Sequence, residues 1–148
     1  MSDQWARRGL VATKGIGVVY TLYPVIGVLG AGAAVPAGTV LANAGAANTF
    51  GVDTELIAAA AILQPFWFAQ LQIGAISVAE TFVVSIERAG ATAIYECRLG
   101  GTLVTGNMSP FTPVYPIYVG AGTQVTGRCA SNSGADTVTA SVLVATGI

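Results

Sequence analysis

At 148 residues the chain has the length of one domain and can bury roughly two-thirds of its extended surface in a single core. Charged residues make up 9% and apolar residues 53%, against about 25% charged in an ordinary soluble domain, so charge cannot clothe an isolated molecule. The net charge of −1 and one Lys leave no footprint for nucleic acid, and the lack of His removes the commonest general base and metal ligand. Large uncharged surface is what assembly interfaces look like.

The stretch from Gly15 to Val35 runs without a charge and is long enough for a membrane helix. Its content argues otherwise: five glycines, Pro24 near the middle, and many β-branched residues, with Val18–Tyr23 (VVYTLY) reading as strand. A secretion signal would use Arg7, Arg8 and Lys14 as its basic region and Ala31-Gly32-Ala33 for cleavage. The apolar part is too long for that, and Tyr23-Pro24 interrupts it. Residues 1–35 are therefore expected to form an extended arm of one or two strands, docked on its own domain or on a neighbour. Residues 36–148 form the domain proper.

From Pro36 onward the pattern is all-β. Thr39–Ala42 is a short strand, followed by a loop over Asn43–Gly51 (NAGAANTFG). Glu55–Leu63 (ELIAAAAIL) reads as a strand or a single helical turn, ended by Gln64-Pro65. In Phe66–Ser77 the polar Gln70 and Gln72 share one face, which places Trp67, Ala69, Leu71 and Ile73 inward by parity. Thr81–Ala89 turns at Gly90-Ala91 into Thr92–Leu99, and Glu87, Arg88, Glu96 and Arg98 flank this hairpin for cross-strand pairing. Thr105–Pro116, with three prolines, reads as a long loop before the strand Ile117–Val119 and the tight turn Gly120–Gly122. Thr123–Ser131 and Thr137–Thr146 alternate as strands around the Asn132–Asp136 turn. Short strands at this spacing predict an antiparallel two-layer sandwich of jelly-roll type with an extended N-terminal arm.

Two stretches resemble a known family. Ala47-Asn48-Thr49-Phe50-Gly51 runs into Glu55-Leu56-Ile57-Ala58, and Tyr115–Thr123 (YPIYVGAGT) is followed by Arg128-Cys129-Ala130-Ser131 and a Thr/Val-rich last strand. Together, over roughly residues 42–148, they are similar to small virion structural proteins of tailed bacteriophages, such as capsid decoration (cement) proteins. The resemblance implies a β-sandwich in the virion, assembled in the host cytoplasm, whose partners are the major capsid protein or other virion proteins. It carries no catalytic residues.

The residues themselves supply no chemistry either. Four glutamates lack a matched cleft pair, no His or GxSxG accompanies the serines, and the Gly-rich runs lack a phosphate-loop Lys. No enzyme activity, cofactor or metal is expected. Cys97 and Cys129 are buried free thiols or one disulfide. If Cys129 points inward, Arg128 points outward to a carboxylate or a partner. The expected partner contacts are Trp5, Arg7, Arg8, Val18, Tyr20, Leu22, Tyr23, Val25 and Ile26 in the arm, with Phe111, Val114 and Tyr115 in the Pro-rich loop. The expected function is a decoration protein that forms a homo-oligomer, a trimer, and binds neither membrane nor specific nucleic acid. The alternatives are a tail, baseplate or head–tail junction protein, or a carbohydrate- or host-binding sandwich that uses Trp67 or the Phe111–Tyr118 aromatics.

Overall fold

The computed structural model describes residues 18–23, 38–89, 92–100 and 109–147. All regular structure in them is β: β1 (Val19–Tyr23), β2 (Thr39–Ala42), β3 (Thr54–Ile57), β4 (Phe66–Ile76), β5 (Phe82–Arg88), β6 (Thr92–Leu99), β7 (Ser109–Phe111), β8 (Ile117–Val119), β9 (Val125–Ser131) and β10 (Thr137–Thr146). No helix among them is long and apolar enough to cross a membrane.

The strands form two antiparallel sheets. In the first, β10 and β4 lie side by side; β1 and β2 divide the far edge of β10 between them, and β7 and β8 divide the far edge of β4. The second has the order β3-β9-β5-β6. The pairings β5–β6, β4–β8, β3–β9 and β2–β10 are nested in sequence, like one long hairpin rolled over on itself. That nesting is the jelly roll expected from the spacing of the strands.

The core lies between the sheets. Leu41, Phe66, Phe68, Leu71, Ile73, Val138, Val142 and Val144 come from the first sheet; Leu56, Phe82, Val84, Ile86, Leu99, Val125 and Cys129 come from the second. Phe68 meets Tyr95 across the gap with ring centroids 5.4 Å apart. Several single-strand expectations match directly: Phe82, Val84 and Ile86 share the inner face of β5, and Val138, Ala140, Val142 and Val144 that of β10.

Three details differ. In β4 the inward aromatics are Phe66 and Phe68, not Trp67 and Ala69, although Leu71 and Ile73 do face inward. The ladder with β10 slips at Ala69 and again at Gly74, and each extra residue flips the parity of the positions beyond it. Inward positions therefore run 66, 68, 71, 73, 76. The Ala-rich segment is strand only through Ile57. It then turns with Ala60 at φ 61 and is tied to the Gly120–Gly122 turn by Ala60 N–H to Gly122 O (3.1 Å) and Gly122 N–H to Ile62 O (2.8 Å). The Pro-rich loop contains β7, paired with Leu71–Ile73 of β4.

Candidate interaction faces

Charge divides the strands by sheet. None of the six strands of the first sheet contains Asp, Glu, Lys or Arg. The second sheet carries Glu55, Glu87, Arg88, Glu96, Arg98 and Arg128.

On the outer face of the uncharged sheet, the register sets a row across four strands. Tyr20 of β1 stands opposite Ala145 of β10, Ala145 opposite Trp67 of β4, and Trp67 opposite Tyr118 of β8. Neighbours in such a row lie about 5 Å apart. Trp67 and Tyr118 pack edge to face, with centroids 5.4 Å apart at 73°. Tyr20 is 64% exposed and Tyr118 52%, while Ala145 between the larger side chains is buried. Val18 and Val40 are exposed near this face, and Gln70 and Gln72 line its β4 part, Gln72 Nε2 donating to Gln70 Oε1 (3.0 Å) and Gln70 Nε2 to Thr112 Oγ1 (3.1 Å).

The residues expected to meet partners divide accordingly. Val18 and Tyr20 are exposed, Leu22 lies in β1 opposite Leu143, and Tyr23 packs against the core. Phe111 also packs against the core, whereas Val114 and Tyr115, in the loop between β7 and β8, are 87% and 78% exposed. Trp5, Arg7, Arg8, Val25 and Ile26 lie outside the described residues, as do the rest of 1–17 and 24–37. Parity on an unbroken β4 turns Trp67 inward, and so misses its row with Tyr118 as a surface. Composition marks β4, β8 and β10 as uncharged, but only their register brings Trp67, Ala145 and Tyr118 into one row.

The outer face of the second sheet is polar. Arg128 does point away from the core, and its Nη2 lies 2.6 Å from Oε1 of the buried Glu87, whose same oxygen accepts from Ser85 Oγ at 3.2 Å. The Phe50 ring covers the guanidinium, 4.7 Å from centroid to Cζ. The expected pairing across the β5–β6 hairpin is replaced by this link to β9. Register places Ser85 opposite Glu96 and Val83 opposite Arg98, so neither charge on β6 faces one on β5. Arg128–Glu87 is the one ion pair among the described residues.

At the end of the sandwich, Asn43, Ser131, Ser133 and Asp136 form a buried network. Asn43 Nδ2 donates to Ser131 Oγ (2.7 Å) and to the Ser133 carbonyl (3.0 Å). Asp136 Oδ2 accepts from Ser133 Oγ (2.6 Å) and lies 2.8 Å from Ser131 Oγ, whose single proton it shares with the Ser133 carbonyl at the same distance. The network fastens the loop after β2 to the turn before β10.

Cys97 and Cys129 are free thiols, each opposite Val84 on the two strands flanking β5. Two strand spacings separate their Cα atoms by about 10 Å, beyond the roughly 7 Å that a disulfide spans. Burial pushes both thiols up to about 11. No three His, Cys, Asp or Glu side chains among the described residues gather into a metal cluster. No family model, characterised protein or solved structure matches the chain.

Proposed function

We propose that this chain is a capsid decoration (cement) protein of a tailed bacteriophage, which oligomerises and fastens neighbouring shell subunits through apolar and strand-pairing contacts. The observation that carries the reading is the uncharged sheet, whose outer face presents Tyr20, Trp67 and Tyr118 in one row. Such a face loses little on leaving water and gains about 25 cal/mol for each Å² of apolar area covered. Trp and Tyr are the side chains that dominate protein interfaces, because they bring large area with few rotatable bonds. Edge-to-face packing holds the Trp67–Tyr118 pair in place before any partner arrives. The motif resemblance over residues 42–148 supports the virion assignment. The jelly-roll architecture, which capsid proteins share with many unrelated ones, adds only an analogy.

The mechanism is contact rather than chemistry. The major capsid protein or a second copy of the chain covers the aromatic row and the exposed Val114–Tyr115 loop, and many weak attachments on one shell sum through high effective concentration. The test is a Tyr20→Lys/Tyr118→Lys double variant. Both side chains are more than half exposed, so the fold should survive, while affinity for purified particles should fall on the order of a thousandfold, at about 2 kcal/mol for each lost anchor. Undiminished binding overturns this reading. Quantifying copies per virion separates a shell-wide protein from one confined to a tail or junction.

A further inference from the structure

The outer face of the charged sheet contains an open cavity of about 500 Å³, within the size range of small-ligand sites. Its floor is apolar, formed by Val83 of β5 and Ala130 of β9, which stand opposite each other in register. The Phe50 ring borders one side, and Asn48, Asn132, Glu96 and Arg98 bring polar groups around it.

The walls are held in place without a ligand. Asn132 Oδ1 accepts from the Thr81 N–H (3.0 Å) and the Asn132 N–H donates to the Thr81 carbonyl (3.2 Å), so the amide Nδ2 is the group left to bond outward. Asn48 sits at φ 56, with its N–H donating to the Ser131 carbonyl at 2.6 Å. Phe50 is fixed from one side by Arg128. Gly51, next to it, donates to the Cys129 carbonyl at 3.0 Å, and a Cβ there would run into the Ala42 carbonyl oxygen, so the loop has one way to lie.

The charges select the ligand. Glu87 already neutralises Arg128, and Glu96 and Arg98 carry opposite signs two residues apart on β6. A bound anion would face the Glu96 carboxylate and a bound cation the Arg98 guanidinium, so the cavity favours a ligand without net charge. Neighbouring hydroxyls, each donor and acceptor at once, match a wall of one carboxylate, one guanidinium and two amides. A ring of C–H groups matches the floor and the edge of Phe50. We infer that this cavity binds a neutral saccharide, a mono- or disaccharide unit, on the sheet opposite the aromatic row.

The test is NMR titration of isotope-labelled protein with glucose, galactose, mannose, N-acetylglucosamine, N-acetylgalactosamine and their disaccharides, alongside glycine and inorganic phosphate. At least one saccharide should saturably shift the backbone signals of Asn48, Asn132, Glu96 and Arg98. Glu96→Ala and Arg98→Ala, both at exposed positions, should each weaken that binding at least tenfold without moving the unfolding midpoint. The inference is overturned if no saccharide in the panel shifts these signals, if the shifts persist in the E96A/R98A double variant, or if glycine or phosphate produces the same shifts.

Discussion

A carboxylate on the outer side of a strand is ordinarily solvated, yet Glu87 is 2% exposed and depends on Arg128 and Ser85 for its partners. Removing Arg128 strands Glu87. A fully buried pair would lose about 3–5 kcal/mol, and with 34% of the Arg128 side chain exposed the loss here is about 1–3 kcal/mol, whereas replacing both by apolar groups is often neutral. Urea unfolding should therefore show Arg128→Met destabilised by about that amount, and Glu87→Leu/Arg128→Met restored close to the parent. The outward aim of Arg128 was legible from alternation alone; its partner was not, because register decides which carboxylate comes within reach. The thiols give a second prediction. Burial raises Cys97 and Cys129 from 9.0 to about 11, so the fold prefers the protonated form. Their contribution to stability is complete below about pH 9 and is lost as pH rises toward 11, because there the unfolded chain has already released the protons that the native state retains. Thermal melts across that window should show a falling midpoint that a Cys97→Ser/Cys129→Ala variant loses much less steeply. Oxidation with diamide should leave both thiols titratable in the unfolded chain, since two strand spacings keep them apart.

At the scale of the element, β4 is the strand where alternation and structure part. Period-two alternation presumes an unbroken ladder, and β4 breaks it at Ala69 and Gly74. A glycine in a strand is a recognised sign of a bulge, so the slip at Gly74 had a signal in the sequence, whereas Ala69 had none. Single slips occur at Leu56 in β3 and Ile94 in β6, while Thr39–Ala42, Ile117–Val119 and Thr137–Thr146 begin and end where composition placed them. Deleting Ala69 tests the importance of the slip. The straightened strand would turn Phe66 and Phe68 away from a core in which they are 0% and 1% exposed, or else reverse everything beyond them. Either outcome should abolish cooperative unfolding in calorimetry. Replacing Ala69 by Ser, which keeps the residue count, should cost less than about 1 kcal/mol, as surface-facing changes usually do.

The whole molecule has two unlike sides, one sheet free of charge and the other holding every charged residue of the described strands. That separation was beyond reach of the sequence, where charged and uncharged segments alternate along the chain; only the nested pairing sorts them into layers. Association through the uncharged side should be indifferent to sodium chloride, which screens charges, and strengthened by sulfate, which is excluded from apolar surface. Sedimentation equilibrium in the two salts would measure this, and weakening by sodium chloride would place the contact on the charged sheet instead. The pairing of β1 with β10 has a practical consequence. Val19 stands opposite Thr146, so β1 begins at the corner where β10 ends, one rung from Tyr20 and Ala145. A fluorescent domain or affinity tag joined just before β1 or just after β10 would hang over the aromatic row and shade it. The same cargo spliced into the Ser133–Ala135 turn would leave that row open but press on the buried Asn43–Asp136 network.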